Sequence, residues 1–153
     1  MLYDNAQLLS LYAHGYALFG KPDYRQIIVE TLDFLYRELK RPEGGYYASL
    51  DADSLNEAEE LEEGAFYTWT ETELQTHLGA DFNWFREYYN INDFGHWEAG
   101  RYVLIRKDSD QEFIQKLGWT EKQLEEKLTE VKALLLQLRE MRPRPRLDDK
   151  IIT

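Results

Sequence analysis

Apolar residues recur every three or four positions through residues 2–20, at Leu2, Ala6, Leu9, Ala13 and Tyr16, and again at Leu8, Tyr12 and Phe19. Two interleaved series leave little polar circumference, which predicts a helix packed on several sides. The polar remainder, Asp4, Gln7, Ser10 and His14, falls on one stripe, and such a stripe faces water or a polar cavity. Residues 22–40 are ordinarily amphipathic. Tyr24, Ile28, Leu32, Leu35 and Leu39 line one side, and Gln26, Glu30, Asp33, Arg37 and Lys40 the other. Pro22 suits a first helical turn, and Pro42, Gly44 and Gly45 stop the helix. The pair predicts an α-hairpin with a very short turn.

The pattern then changes. Aromatic runs at 45–50 and 64–69 read as paired strands around an acidic loop. Thr70 with Glu73 reads as a capping box opening a short helix that Gly79 closes, followed by a helical "DFNWFREYYN". "GRYVLIRK", residues 100–107, is strand-like. Ser109 with Glu112 and Thr120 with Gln123 give two more capping boxes, with Gly118 between them as a terminator. The last helix, 120–141, spaces Leu124, Leu128, Val131, Leu135 and Leu138 by alternating fours and threes. Core packing in a helical domain accounts for that spacing better than a coiled coil of about three heptads. "RPRPRLDDKIIT" is extended and basic, a linker or a strand pairing with the acidic loop. No short internal repeat is present.

Length and composition narrow the class. The chain has 153 residues, 43% hydrophobic and 14% aromatic, enough for one domain with a core. Its net charge of −11 disfavours nucleic acid and anionic membrane as partners, and "RPRPR" is too short a basic patch to reverse that. With no cysteine, disulfides, thiolate metal sites and cysteine nucleophiles are excluded, and a cytoplasmic location is the expectation. No apolar run is long enough to span a bilayer, and "MLYDNAQL" lacks the basic start of a signal peptide.

Candidate chemistry concentrates in residues 51–63, where seven of thirteen positions are acidic and none basic. Asp51-x-Asp53 evokes a calcium loop, but Leu55 and Asn56 stand where an EF-hand needs an oxygen ligand and a glycine. A looser divalent site on Asp51, Asp53 and a later Glu stays open, and so does a solvated hairpin tip at Glu57, Glu59 and Glu60. Paired carboxylates also serve glycoside chemistry, and aromatic faces stack on sugar rings. Tyr46, Tyr47, Phe66, Tyr67 and Trp69 surround the carboxylates, which fits a carbohydrate-type pocket or simply a core. His14, His77 and His96 have no metal-ligand spacing, so no metal is expected. Serine-hydrolase, P-loop and dinucleotide fingerprints are absent, so no cofactor is expected either.

Four motifs in order, "MLYDNAQLL", "GGYYASLDADS", "EEGAFYTWT" and "RPRPRLDDKIIT", resemble those of a thioredoxin-domain-containing family that includes the spermatogenesis-associated thioredoxin-like proteins of animals. The resemblance covers nearly the whole chain. It implies a thioredoxin-like module followed by a six-hairpin α/α toroid, similar to N-acylglucosamine 2-epimerases and six-hairpin glycosidases. Residues 1–153 would be a single partial toroid domain of about two helical hairpins, mainly α with short antiparallel β-hairpin inserts, and without the thioredoxin-like module. The pocket implied is lined by Tyr3, Asp4, Asn5, Glu63, Trp69, Asp148 and Lys150, with Asp51, Asp53 and Asp149 as catalytic candidates. The acidic insert "LNEAEELE" departs from the pattern. The implied ligand is a sugar-like small molecule; the alternative is a non-catalytic scaffold attached to the redox module. A piece of a toroid carries helix faces without neighbours, so self-association is expected, or unusual exposure of Leu2, Leu9, Tyr12 and Tyr16.

Overall fold

The structure, a computed structural model, describes residues 1–56 and 58–152. Glu57, one of the residues read as a solvated tip, lies outside them. Within this range the chain is mainly helical, with three two-stranded antiparallel sheets. Contacts divide it into two compact units, one formed by Met1–Ala52 and the segment from Pro145 onward, the other by Asp53–Arg144.

The first unit is built on the expected α-hairpin. Helix α1 (Leu2–Phe19) and helix α2 (Pro22–Glu38) are joined at Gly20, whose N–H donates to the Tyr16 carbonyl. They pack through Tyr12 and Tyr24, edge to face at 5.5 Å, and a Cβ on Gly15 would sit 3.0 Å from the Tyr24 ring. On α2 the apolar side behaves as its pattern demands, with Leu35 and Leu39 buried and Tyr24, Ile28 and Leu32 half-buried. Helix α1 does not. It contains no buried residue; Leu2, Leu9 and Tyr12 are half-buried, Tyr16 is exposed, and Leu8, Leu11, Leu18 and Phe19 are more exposed still.

Strand β1 (Tyr46–Leu50) follows α2. Its partner departs from the expectation: it pairs antiparallel with the C-terminal segment, while the second aromatic run forms no such strand. Residues 64–68 instead fold into tight turns. The N–H groups of Tyr67 and Thr68 both donate to the Gly64 carbonyl at 2.9 Å, and the Thr68 hydroxyl donates to the same oxygen at 2.9 Å. A threonine satisfied by a carbonyl four residues back competes with a strand ladder, and burial of Phe66 and Trp69 holds the turn in place.

The second unit begins with a true hairpin inside the acidic stretch, β2 (Asp53–Leu55) with β3 (Leu61–Glu63). Asn56 closes its tip; its side-chain oxygen accepts from Ala58 N–H at 2.9 Å and Glu60 N–H at 3.0 Å. Strand β4 (Trp69–Thr70) pairs with β5 (Arg101–Tyr102), so only two residues of the strand-like 100–107 are strand. Helices α3 (Glu71–Leu78), α4 (Phe82–Tyr88), α5 (Asp110–Leu117) and α6 (Glu121–Glu140) complete the unit. All three capping boxes form at Thr70, Ser109 and Thr120, each adding about 1 kcal/mol of helix stability. The core joins Trp69, Leu74, Phe85 and Ile91 to Phe113 and to Leu124, Leu128, Val131 and Leu135 of α6. The heptad-like spacing of α6 is therefore core packing.

Candidate functional site

Seven of the ten candidate residues belong to the first unit. The last strand, β6 (Leu147–Ile152), pairs Tyr46 with Ile152, Tyr47 with Ile151, Ser49 with Asp148 and Leu50 with Leu147. Side chains of directly opposed residues share a face, and faces alternate along a strand. Tyr47, Ser49 and Asp148 therefore line one face, which Asp51 continues next to Arg146. The Asp51 N–H donates to the Arg146 carbonyl at 2.8 Å, and the Arg146 guanidinium reaches the Asp51 carboxylate at 3.3 Å. That ion pair is largely solvated and stabilises little.

Between Ser49/Asp148 and Tyr47/Ile151 the register slips. Strand β6 has two residues, Asp149 and Lys150, where β1 has only Ala48. The bulge is stabilised locally, because the Asp148 carboxylate accepts from the Lys150 N–H at 3.2 Å. Bulges re-aim side chains, and this one sets an exposed carboxylate beside an exposed ammonium. Three carboxylates (Asp51, Asp148, Asp149) and two cations (Arg146, Lys150) thus share one strand pair. Tyr46 lies on the opposite face, stacked 6.5 Å from Tyr36. Burial and the neighbouring Tyr36 phenol push its hydroxyl above the ordinary tyrosine range, so it stays neutral at physiological pH.

The first-turn residues of α1 are occupied locally. Tyr3 is exposed; Asp4 pairs with the N-terminal ammonium at 3.4 Å, and the Asn5 side chain donates to the Met1 carbonyl at 2.7 Å. Pattern reading passed over Glu38. Its carboxylate is almost fully buried and accepts from Arg37 Nε at 2.8 Å. A glutamate at the flank of an amphipathic helix gives no sequence signal of burial.

The other three candidates belong to the second unit. Asp53 and Glu63 stand opposite each other across β2 and β3, a juxtaposition of like charge that costs stability. Trp69 is in the core, and Arg142 covers its ring at 4.0 Å. One Arg142 nitrogen donates to the carbonyls of Ala65, Phe66 and Thr68 at 3.2, 3.0 and 2.7 Å, and the other to Glu73 at 3.0 Å. Burial pushes the Glu73 carboxyl up, but the Thr70 N–H and hydroxyl and the charges of Arg142 and Arg101 outweigh it and hold the group below its usual range. Among the described residues, no three His, Asp or Glu side chains stand where they could hold a metal ion, and no helix is long and apolar enough to cross a membrane.

Fold and site together define a mainly helical protein with small antiparallel strand pairs and an acidic strand face. Its relatives are more specific. The chain is similar to spermatogenesis-associated protein 20 of Homo sapiens, 29% identical over 172 aligned positions, covering 99% of this chain and 22% of that protein. The protein of the same name in Mus musculus is 28% identical with the same coverage. An uncharacterised protein of Caenorhabditis elegans is 29% identical over 100% of this chain and 24% of its own length. No family model matches. The chain spans about a quarter of the length of these relatives. The names of the two mammalian relatives are consistent with the spermatogenesis-associated proteins that the four sequence motifs resemble.

Proposed function

We propose that the strand pair β1–β6 forms part of a binding site for a sugar-like, polyhydroxylated ligand. The observation that supports this most is the convergence of Asp51, Asp148, Asp149 and Lys150 on one short sheet, with Tyr47 and Ser49 beside them. Carboxylates accept hydroxyl protons, an ammonium balances charge, and a phenol edge covers the ring. Asp51 and Asp149 would carry any acid–base chemistry. The motif resemblance supports placing this pair within an α/α toroid of which the chain is about two hairpins, in a longer cytoplasmic protein with a thioredoxin-like module.

A second reading is a non-catalytic scaffold. It is favoured by the local satisfaction of Asn5 and Asp148, by the core position of Trp69, and by the unburied α1, whose apolar surface suits packing against further protein. Thermal melts across a monosaccharide and disaccharide library separate the two. The ligand reading expects a stabilising shift that Asp149→Asn and Asp51→Asn abolish. No shift anywhere in the library would leave the scaffold reading in its place.

A further inference from the structure

We infer that the cleft beside Trp119 on the second unit is a binding site for an organic ammonium group. The inference goes beyond the sugar-type reading and uses none of its residues. Local structure fixes the indole first. Gly118 ends α5 in a left-handed turn, the Trp119 N–H donates to the Ile114 carbonyl at 3.0 Å, and Thr120 at once opens α6 with its capping box. The ring packs edge to face against the buried Trp84 at 5.6 Å and the buried Phe113 at 6.4 Å. Core aromatics thus hold one side of the half-buried indole. The rest of it borders a cleft of about 300 Å³, lined also by Gln123, Glu126, Lys127 and Glu130 of α6. Those four follow at steps of three, four and seven residues from Gln123, so they share one face of the helix.

Charge decides what the cleft accepts. The Gln123 side-chain oxygen is committed to the Thr120 N–H and hydroxyl. The Lys127 ammonium donates to Asp81 at 2.8 Å, on the oxygen that also takes the Trp84 indole N–H at 2.8 Å, so a residue outside the lining answers this cation. Glu126 meets Lys122 only at 3.7 Å, with both side chains mostly exposed, and such a pair is worth little. Glu130 makes no hydrogen bond or ion pair among the described residues, and acts on Lys127 only through space. Two carboxylates therefore line the cleft without a strong counter-charge, beside an indole, the side chain whose face attracts cations best. An anionic ligand is repelled there. A bare metal ion lacks the three acidic or imidazole ligands it needs among the described residues. An ammonium on a short apolar chain satisfies both walls, its charge meeting Glu126 and Glu130 and its carbons covering the ring. The net charge of −11 favours the approach of such a cation.

An ammonium of this kind is a free amine or the end of a lysine side chain. Saturation-transfer NMR from protein to ligand protons tests the site, with the ligand rather than the indole as reporter. The probes are choline and butylammonium for the free amine and trilysine for the side chain. Neohexanol, the uncharged carbon analogue of choline, is the control. At least one ammonium probe should receive saturation while neohexanol does not. Its affinity should fall about fivefold in Trp119→Leu and about threefold in Glu130→Gln, and stay unchanged in Asp149→Asn. Glu130 is exposed and outside the core, so Glu130→Gln keeps the test decisive even where Trp119→Leu fails to fold. Transfer to trilysine alone would keep the site and make a lysine side chain its occupant. Silence of all three ammonium probes would overturn the inference. So would equal transfer to neohexanol, or an affinity that Glu130→Gln leaves unchanged. Binding lost in Asp149→Asn would place the cation at β1–β6 instead and sink this cleft.

Discussion

Replacing Arg142 by methionine keeps most of the aliphatic stem and removes the guanidinium. In the native protein that group holds three backbone carbonyls, those of Ala65, Phe66 and Thr68, and the carboxylate of Glu73, while covering the Trp69 ring. Ala65, Phe66 and Thr68 are buried, so water cannot freely replace the lost donor. The side chains of Arg142 and Glu73 are only 17% and 25% exposed. Deleting the guanidinium leaves Glu73 with only Thr70 and the more distant Arg101, strips three buried carbonyls of their shared donor, and costs about 3–5 kcal/mol. Domains of similar size lose about 4–8 °C per kcal/mol, so the second unit should melt more than about 12 °C lower. Urea unfolding followed by tryptophan fluorescence gives the free energy directly. Arg142→Lys should lose most of the same amount, because one ammonium cannot reproduce the fork that spans three carbonyls and a carboxylate. A methionine variant within about 1 kcal/mol of the wild type would refute the reasoning and make the four hydrogen bonds incidental.

Three other outcomes are expected. Glu73 titrates below its usual range, so its contribution is complete above about pH 4.3 and is lost as pH falls towards the folded-state value; Glu73→Gln should flatten the acid limb of a plot of urea midpoint against pH. Gly95→Ala should destabilise the second unit by more than about 2 kcal/mol, since its Cβ would lie 2.2 Å from the Asn90 oxygen, and a thermal melt equal to wild type would contradict that. The chain should self-associate through α1, with sedimentation velocity showing concentration-dependent species that Leu11→Glu reduces to monomer; a wild-type monomer at every concentration would count against it.

Helix boundaries were legible because their signals are local. Thr70, Ser109 and Thr120 each have the partner three residues on that closes a capping box, and α2 and α6 bury the sides their spacing marks. Strand partners were not legible. Tyr46–Leu50 has high strand propensity, but nothing in it distinguishes Leu147–Ile152 from Phe66–Trp69 as its mate; turn chemistry at Gly64 and Thr68 decides, and propensity does not encode it. Site reading divides the same way. Asp51 was visible as an acid at a strand end and Asp148 only through the motif resemblance; the structure pairs Asp148 with Ser49 and sets Asp51 beside Arg146. Arg142 and Glu38 escaped notice because their roles depend on burial and on partners elsewhere.

Strands β1 and β6 are separated in sequence by the whole of the second unit, and the contact that continues their ladder joins residues 95 positions apart. During synthesis β1 leaves the ribosome long before its mate exists, with Tyr46 and Tyr47 presented on an unpaired edge. The intervening unit, Asp53–Arg144, has its own core and can fold in that interval. The acidic strand face therefore takes shape only after that unit has been made, and its edge is open to misdirected pairing until Leu147–Ile152 arrives.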